Sequence, residues 1–485
     1  GKFVATNDLK VGSTLSAWRG VPEEGESVDS DLLLKSLNGN VLFGTEAVYT
    51  KSMDIEALKG SVTAENTLQG VRKVSAGSVK FGGEVFLNKN FEFHTDGDVT
   101  FGEGSDIFSY DPNNISSTIK GNLIAKNAKV TWENGKVPLV VYGSVDLSGS
   151  EVTGLEITTH GSALLDGADL GRVWIDATHA GQSITANNIT YNHSAILEFK
   201  ADQKVILTDA KPEVVNEENR PAQGFHLVSV NNSVDVTGSN LLASTMDVQA
   251  QTGVTANEAE LQAAELTITT EAGSVEANQA KLVADRYNLT VTSPTTLSLM
   301  GSTLKSGAMM QLTAVGDINL KDAKVETGDG SIESTQGNIW AQNVSAKGIY
   351  QQEKEEANRV NQKQFGKLAM TAAKTLDVSD LNDNVQGGIR GLTINLTGTE
   401  ALMATGTHFD GHEDWARGFY PQWVDGTQKS GTGVFTLKTE GDFALDNIVI
   451  GGSKAAVVHV NYAGTTAKPL VVSGVSLLMD ANNFT

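Results

Sequence analysis

The stretch that decides the fold is Gly253-Val-Thr-Ala-Asn, which returns in closely related form as Gly273-Ser-Val-Glu-Ala-Asn. Further copies follow Gly316 and Gly337, and Thr295 stands where a glycine of the series is missing. The steps between these markers are 20, 22, 21 and 21 residues. A fixed spacing of this size is the mark of an internal structural repeat.

Each repeat contains short segments in which apolar and polar residues alternate, such as Leu266-Thr-Ile-Thr and Leu289-Thr-Val-Thr. Alternate side chains of a strand point to opposite faces, so each segment has one apolar face to bury. A unit of about 20 residues cannot bury that face alone, and successive units therefore have to stack into a continuous core. The repeat predicts an all-β chain folded as a parallel β-solenoid.

The same pattern extends beyond the regular ladder of residues 233–348. It is present at Gly60-Ser-Val-Thr-Ala-Glu-Asn, and it recurs after Gly143, Gly161 and Gly181 at intervals of 18 to 20 residues. Between residues 81 and 108 the alternating apolar positions are aromatic, and we expect these rings to fill the coil interior. The rings in question are Phe86, Phe91, Phe93 and Phe101.

Three stretches interrupt the period, and a solenoid places such extra residues in loops outside its core. Lys211 to Gln223 is polar with a proline near each end, and Gln351 to Gln364 is highly charged, which predicts a short surface helix or a loop. The third is rich in histidine and aromatic residues. The predicted organisation is an irregular β-rich start at 1–59, a β-helix at 60–349 with a loop insertion at 211–223, a charged insertion at 350–366, and further coils at 367–485 with the aromatic loop at 407–429.

Composition excludes several classes of function. The net charge of −22 argues against nucleic acid or an anionic membrane surface as a partner, because both require clusters of Lys and Arg. The absence of cysteine removes disulfides and thiol chemistry. No apolar run reaches the ~18 residues needed to cross a bilayer. The chain begins without a leader pattern, and we expect it to be an internal piece of a longer protein.

The glycine-marked phrasing, Gly-Ser/Asp-Val/Ile-x-Ala/Leu-x-x-Ala at about 20-residue spacing, resembles the exoproteins of two-partner secretion, namely filamentous haemagglutinin-type adhesins and the stalks of contact-dependent inhibition effectors. The resemblance covers residues 233–348 best and 60–205 more loosely. It implies a right-handed parallel β-helix, exported through an outer-membrane partner transporter to the surface of a Gram-negative bacterium or beyond. The secretion domain of that family is not present in this chain.

The stretch from Thr407 to Val424 holds the densest group of residues suited to recognition. Its histidines and carboxylates could ligate a divalent ion, although their spacing matches no known ligand frame. Its aromatic side chains could contact a sugar or a protein, since such residues dominate binding hot spots, or they could simply cap the adjacent coils. The candidate receptor or glycan contacts are His408, His412, Trp415, Phe419, Tyr420 and Trp423.

The function that we expect is adhesion by a monomeric, rod-like segment of a secreted surface exoprotein, which binds a cell-surface protein or glycan through loops at 211–223, 351–364 and 408–423. One alternative is the stalk or receptor-binding region of a toxin-delivering inhibition protein. The other is a β-helix enzyme acting on polysaccharides, which would require paired acids in one groove. No acid pair stands out by position, so we expect neither an enzyme nor a bound cofactor.

Overall fold

The computed structural model describes most of the chain up to residue 348 and shorter pieces beyond it. The described residues are 1–12, 15–16, 31–110, 112–113, 115–215, 218–219, 221–348, 353–354, 360–361, 367–379, 388–390, 393–404, 408–410, 423–424, 427–428, 433–446, 449–452, 456–462, 471–473 and 476–479. Within them every regular element is a β-strand, and no helix is present. The chain divides into two compact units, Gly1–Asp235 (unit 1) and Val236–Thr485 (unit 2).

The strands of unit 1 are short near the corners of the coils and longer where one strand bends around a corner. Their bounds are Lys2–Ala5, Leu9–Val11, Leu15–Ser16, Asp31–Ser36, Val41–Phe43, Val48–Ala64, Leu68–Phe81, Glu84–Thr95, Val99–Phe101, Asp106–Tyr110, Ser117–Ile119, Leu123–Ala125, Lys129–Glu133, Val137–Val141, Val145–Asp146, Glu151–Thr153, Leu155–Thr159, Ala163–Leu164, Asp169–Ala177, Ile184–Thr185, Thr190–Ala201, Val205–Ile206, Lys211–Pro212, Val214–Val215, Glu218–Asn219, Ala222–Ser229 and Ser233–Asp235.

In unit 2, up to residue 348, most long strands of 11 or 12 residues alternate with short strands of 2 or 3 residues. Their bounds are Asn240–Ala250, Gly253–Thr255, Glu260–Thr270, Ser274–Glu276, Lys281–Ala284, Leu289–Ser293, Leu297–Ser298, Thr303–Ala314, Ile318–Asn319, Lys324–Ser334, Ile339–Trp340, Ser345–Gly348, Glu353–Lys354, Val360–Asn361, Lys367–Ala372, Thr375–Asp377, Gly388–Arg390, Thr393–Gly398, Ala401–Met403, His408–Asp410, Trp423–Val424, Thr427–Gln428, Gly433–Thr439, Asp442–Asp446, Val449–Gly452, Ala456–Tyr462, Val471–Ser473 and Ser476–Met479.

One coil has three strands, and each strand pairs in parallel with the corresponding strand of the next coil. In unit 1, Val137 pairs with Leu155 on the first face, Val145 with Ala163 on the second, and Glu151 with Asp169 on the third. We call these faces A, B and C, and unit 2 has the same three. The expected fold, an all-β parallel β-helix, is confirmed. Parallel pairing also includes the first strand, where Lys2 lies beside Leu33.

The alternating segments of the ladder form strands because their apolar residues meet inside the coil. On face B of unit 2 one interior column is built from a single residue of each coil, and every member is at most 1% exposed. Removing this apolar surface from water is the main force that stacks the coils. The column consists of Val254, Val275, Leu297, Ile318, Ile339 and Leu376.

The predicted insertions leave the core register intact. Val205 pairs with Val234 across the first insertion, and Ile339 pairs with Leu376 across the charged one. The coil includes Lys211 and Pro212, which pair with Thr190 and Tyr191. The extra residues after them contain an antiparallel strand pair, Val214–Val215 with Glu218–Asn219.

The charged insertion contains a second antiparallel pair, in which Glu353 lies opposite Asn361 and Lys354 opposite Val360. The prediction of a short helix is therefore wrong for the residues that the structure describes in this insertion. Favourable spacing of opposite charges supports a helix by only a few tenths of a kcal/mol per pair, so it does not outweigh a competing hairpin.

The aromatic residues between 81 and 108 are divided between the interior and the surface. Phe81, Phe91, Phe93 and Phe101 are buried, and the rings of Phe81 and Phe101 stack with centroids 6.5 Å apart. Phe86 is 41% exposed and packs edge-on against Phe108. The expectation of an interior aromatic stack is confirmed for Phe91, Phe93 and Phe101 and is wrong for Phe86, because Phe86 occupies an outward position of its strand.

Candidate binding face

The six contact candidates from the sequence lie in the part of unit 2 that is described least. His408 begins the strand His408–Asp410 and pairs with Val449. Trp423 lies opposite Gln428 in an antiparallel pair. His412, Trp415, Phe419 and Tyr420 lie outside the described residues. Receptor or glycan contact by these six residues therefore remains a prediction.

The described surface does contain a different group of aromatic residues, on face A of unit 1. Tyr142 follows the strand Val137–Val141, His160 follows the strand of the next coil, and His179 lies just beyond the end of the one after it. Tyr142 and His160 have ring centroids 4.5 Å apart, and His160 and His179 stack with centroids 4.8 Å apart and planes inclined by 18°. We call these three residues the ring column.

The ring column is exposed because its residues sit where the chain turns from face A to face B. The backbone N–H of His160 donates to the Val141 carbonyl at 2.8 Å, which keeps the coils in register at this corner. Tyr142 is 51% exposed. The rings of His160 and His179 are nearly parallel, whereas the ring of Tyr142 is inclined by 47° to that of His160. The phenol hydroxyl and the imidazole nitrogens are the groups of this column that can exchange hydrogen bonds with a ligand.

One further aromatic residue, Trp174, lies on the same face, four residues before the corner between faces A and B. Trp174 occupies an outward position of the strand Asp169–Ala177 and is half-buried. Lys136 places its Nζ 5.1 Å from the centroid of the Trp174 ring, and the same Nζ donates to Glu156 Oε1 at 2.8 Å. An ammonium over an indole face is an attractive cation–π contact, and here it also fixes the ring orientation.

The strand register places Trp174 between two carboxylates. Glu156 is its neighbour on the preceding coil and Glu198 on the following coil. Two residues towards the corner, the column of outward side chains is Val140, Thr158, Asp176 and Lys200. Asp176 lies between the indole and the corner on the strand of Trp174, and the shorter side chains Val140 and Thr158 lie beside it on the two preceding coils. We call the area from Trp174 to the ring column the aromatic trough.

Charges around the trough are mixed and come close to cancelling. Lys136, Arg172 and Lys200 contribute three cations, while Glu156, Asp176 and Glu198 contribute three carboxylates. Arg172 donates from Nη2 to the Trp132 carbonyl at 3.3 Å. Asp176 accepts hydrogen bonds from the backbone N–H and hydroxyl of Thr178 at 3.0 and 2.6 Å.

Two charged groups at the ends of the ring column are held in their ionised form. Hydrogen bonds from the Gln203 side chain, the Gly181 backbone and Asn231 lower the pKa of Asp202, next to His179. At the other end, a hydrogen bond to Asp96 raises the pKa of Lys120, which lies beside Tyr142. The ring column is thus bounded by one fixed anion and one fixed cation.

Earlier coils of the same face carry a different surface, made of ion pairs. Arg72 forms a two-pronged contact with Asp54 at 2.9 and 2.7 Å, and Lys73 lies 3.0 Å from Glu92. Burial acts to raise the pKa of Glu92, but hydrogen bonds from His94 and Lys73 outweigh it and lower that pKa. The charged groups of this part of face A are paired with one another, and these pairs do not include an exposed Trp or Tyr ring that a ligand could contact.

Catalysis and metal binding find little support among the residues that the structure describes. They contain no group of three or more His, Asp and Glu side chains placed to hold a metal ion. Burial raises the pKa of Asp106 on face C, against the opposing effect of Lys129. Glu84 is the register partner of Asp106, and Glu84 and Glu151 also act to raise this pKa; hydrolysis of a glycan by such acids would require a sugar bound between two of them. Within the same described residues, no helix is long and apolar enough to cross a membrane.

The sequence did contain a signal for the ring column. Tyr142 and His160 directly precede the markers Gly143 and Gly161, and His179 comes two residues before Gly181. An aromatic residue directly before the marker in two successive coils predicts a ring contact, because the same position of each coil is superposed in a solenoid; His179 lies one position further from its strand than Tyr142 and His160 do. Trp174 has no comparable signal, since its neighbours in space are Glu156 and Glu198.

Comparisons with known proteins identify no relative of this chain. No protein-family model, no curated protein and no solved structure matches it.

Proposed function

We propose that this chain is a β-helical segment of a secreted bacterial surface exoprotein that mediates adhesion by binding a receptor on another cell. The observation that carries the proposal is the aromatic trough, in which Tyr142, His160 and His179 form a column of contacting rings on the same face as Trp174. Tyr and Trp side chains combine an apolar body with a polar tip, and they are enriched where proteins bind other molecules. The glycine-marked repeat supports export through an outer-membrane partner transporter.

A β-helix suits this task because every coil is held by its neighbours and the outward side chains are therefore fixed in place. Hydrogen-bonded strands on either side leave the trough little freedom to rearrange, so a ligand loses little affinity to ordering the site. The loops at 211–223, 351–364 and 408–423 remain further candidates for receptor contact, since binding residues are often carried by loops on rigid scaffolds.

Adhesion can be tested with beads coated with the chain and applied to a panel of epithelial and bacterial cells. The test variant is Tyr142→Ala/His160→Ala/Trp174→Ala, and we expect it to retain less than about one tenth of the wild-type bead binding, since removing hot-spot side chains commonly costs more than tenfold. The matched control is Lys35→Ala/Lys73→Ala, which changes the ion-paired part of the same face.

Circular dichroism has to show intact β-structure in both variants. Equal adhesion by wild type and the trough variant would remove the trough from the proposal, and deletion of 408–423 would then test the loop. A chain that binds no cell in the panel, in either form, would contradict adhesion as the function.

A further inference from the structure

We infer that the aromatic trough binds a neutral, unbranched oligosaccharide, and that Lys136 competes with this ligand for the Trp174 ring. The inference rests on the proposed function and deepens it by naming the class of receptor. It draws on the position of the rings, the balance of charges, the pairing of the strands and the contact of Lys136.

The rings define the length of the ligand. The corner position of Thr178 lies just past the end of the strand Asp169–Ala177 and four residues after Trp174, which corresponds to about 13 Å at the usual rise per residue of a strand. Thr158 pairs with Asp176, and continuing this register by two residues places His160 beside Thr178 at that corner, so rings are present at both edges of the trough. Between the two edges lie Asp176 on the strand of Trp174 and Thr158 on the preceding coil. An extended ligand of a few sugar units can therefore reach both edges.

Charge balance points to a neutral ligand. The trough has as many cations as carboxylates, and Lys136 and Glu156 already pair with each other at 2.8 Å. A strongly anionic or cationic polymer gains no net attraction from such a surface. Hydroxyl groups of a sugar, in contrast, both donate and accept, and can bond to ammonium, carboxylate and imidazole groups alike.

Strand pairing argues against an extended peptide. Peptides commonly bind sheets by adding a strand to a free edge, where main-chain groups are unpaired. In the trough, the strand Asp169–Ala177 is paired on both sides, with Leu155–Thr159 and with Thr190–Ala201. No main-chain edge is therefore open there. The aliphatic C–H face of a sugar ring needs no such edge and can pack on an indole.

Lys136 has a specific role in this arrangement. Its ammonium lies over the Trp174 ring, so a sugar that stacks on that face of the ring has to displace it. Displacement costs the cation–π contact but leaves the pair with Glu156 available. Removing the ammonium should therefore strengthen ligand binding, whereas removing a lysine from an ordinary ion pair should have no effect.

The test is isothermal titration calorimetry of the whole chain with six-unit oligosaccharides. The neutral probes are cello-, laminari-, malto- and xylo-oligosaccharides, and the charged probes are oligogalacturonate, fully deacetylated chitin oligomers and hexa-arginine. We expect at least one neutral probe to bind, with an affinity that changes less than about twofold between low and high salt, because screening acts on net charge. No charged probe should bind more tightly.

Three variants separate a specific role from a structural one. Trp174→Ala is expected to lower the affinity for the bound probe by about tenfold. Lys136→Met keeps the length of the side chain and removes its charge, and should raise the affinity by about threefold. The control is Lys129→Met on face C, where Lys129 pairs with Glu151 at 3.0 Å and has no ring beside it; the affinity should stay unchanged.

Several results would overturn the inference. These are binding of no neutral probe, tighter and salt-sensitive binding of a charged probe, or lower affinity in Lys136→Met. Cell adhesion that persists in Trp174→Ala, together with no oligosaccharide binding, would leave the proposed function standing and remove only this ligand. If the wild-type chain showed neither cell adhesion nor oligosaccharide binding, the result would count against the proposed function as well.

Discussion

The coils from Val99 to Val205 and those from Val254 to Ile339 have the same three faces but are filled differently. In the coils of unit 2 from Val254 to Ile339 the interior is aliphatic, and no aromatic side chain of these coils is buried. In unit 1 the buried residues include Trp132, Tyr191 and Phe199. Large rings occur where the spacing of the coils is uneven.

The spacings show the contrast directly. On face B of unit 2 the paired core residues are 21 or 22 residues apart from Val254 through Ile339. In unit 1 the step from Val99 to Leu123 is 24 residues, and the step from Val145 to Ala163 is 18. Interior side chains of similar size allow every coil to have a similar number of residues, because each coil must fill the same cross-section at the close packing density of a protein interior.

The outward side chains of face A differ in the same way. In unit 2 threonines pair with threonines from coil to coil, as Thr267 does with Thr290 and Thr269 with Thr292. In unit 1 the corresponding positions carry Trp174 and its carboxylate neighbours. The coils of unit 1, whose spacing varies, thus present aromatic and charged side chains on face A. The coils of unit 2, whose spacing is nearly constant, present threonine pairs at the corresponding positions.

Removing an interior ring of unit 1 is the strongest way to test this contrast. Trp132 is fully buried, and its ring is stacked on Phe91 with centroids 5.8 Å apart. Trp132→Ala should cost about 3–5 kcal/mol, because a rigid ladder cannot close the cavity. Hydrogen exchange, read by mass spectrometry, should show lost protection in the neighbouring coils, since stability in a repeat protein is local.

Two variants sharpen the result. Val291→Ala in unit 2 removes fewer atoms and should cost less. Trp132→Phe should cost less than Trp132→Ala, because the Trp132 Nε1 has no hydrogen-bond partner to lose. Equal losses for Trp132→Ala and Val291→Ala would show that ring packing does not distinguish the two units.

The marker glycines of unit 2 provide the second test. A Cβ on Gly273 would lie 1.3 Å from the Thr252 carbonyl oxygen of the coil below, whereas a Cβ on Gly253 would lie 3.2 Å from its nearest atom, the Ser274 oxygen. Gly273→Ala therefore forces two coils apart, at a cost of about 1–3 kcal/mol, the usual range for overpacking. Gly253→Ala should be nearly neutral in the same denaturant titration.

If both Gly273→Ala and Gly253→Ala were as stable as wild type in the denaturant titration, the result would contradict the close, even packing of coils in unit 2. Neither Gly253 nor Gly273 has a positive φ; Gly273 is required because backbones approach closely. Positive φ occurs at another corner of the coil, at residues such as Asn188, Glu258 and Asp322, where Gly is often absent.

The fold was predictable from the sequence because a solenoid repeats one local pattern. Alternation and period fix which side chains point inward, so Val254, Val275 and Leu297 could be placed in the core before the structure was known. Loop structure was not predictable in the same way. Residues 353–354 and 360–361 pair as a hairpin although their charge pattern favoured a helix.

The binding face was harder to predict, since its residues come from different coils. Trp174, Glu156 and Lys136 are far apart in sequence and meet only through the strand register, which pairs Glu156 with Trp174, and through the reach of the Lys136 side chain. A sequence scan finds dense clusters such as His408 to Trp423. It does not detect a site assembled by stacking.

The smallest expected effect concerns two acids of unit 1 whose pKa values are shifted in opposite directions. Burial raises the pKa of Asp106, so its charge is less favourable in the folded chain than in the unfolded one. Its unfavourable contribution is present at neutral pH and disappears as the pH falls through the raised folded pKa. Asp106→Asn should therefore stabilise the chain slightly at pH 7, and the difference from wild type should vanish at acidic pH.

Asp202→Asn should do the reverse, because hydrogen bonds lower the pKa of Asp202 in the folded chain. Its favourable contribution is present above the unfolded pKa and is lost as the pH falls through the lowered folded pKa. The variant should be less stable than wild type at pH 7 and should converge with it in acid. Urea midpoints measured at several pH values for both variants test the pair, and a shift of the same sign in both would contradict the assigned causes.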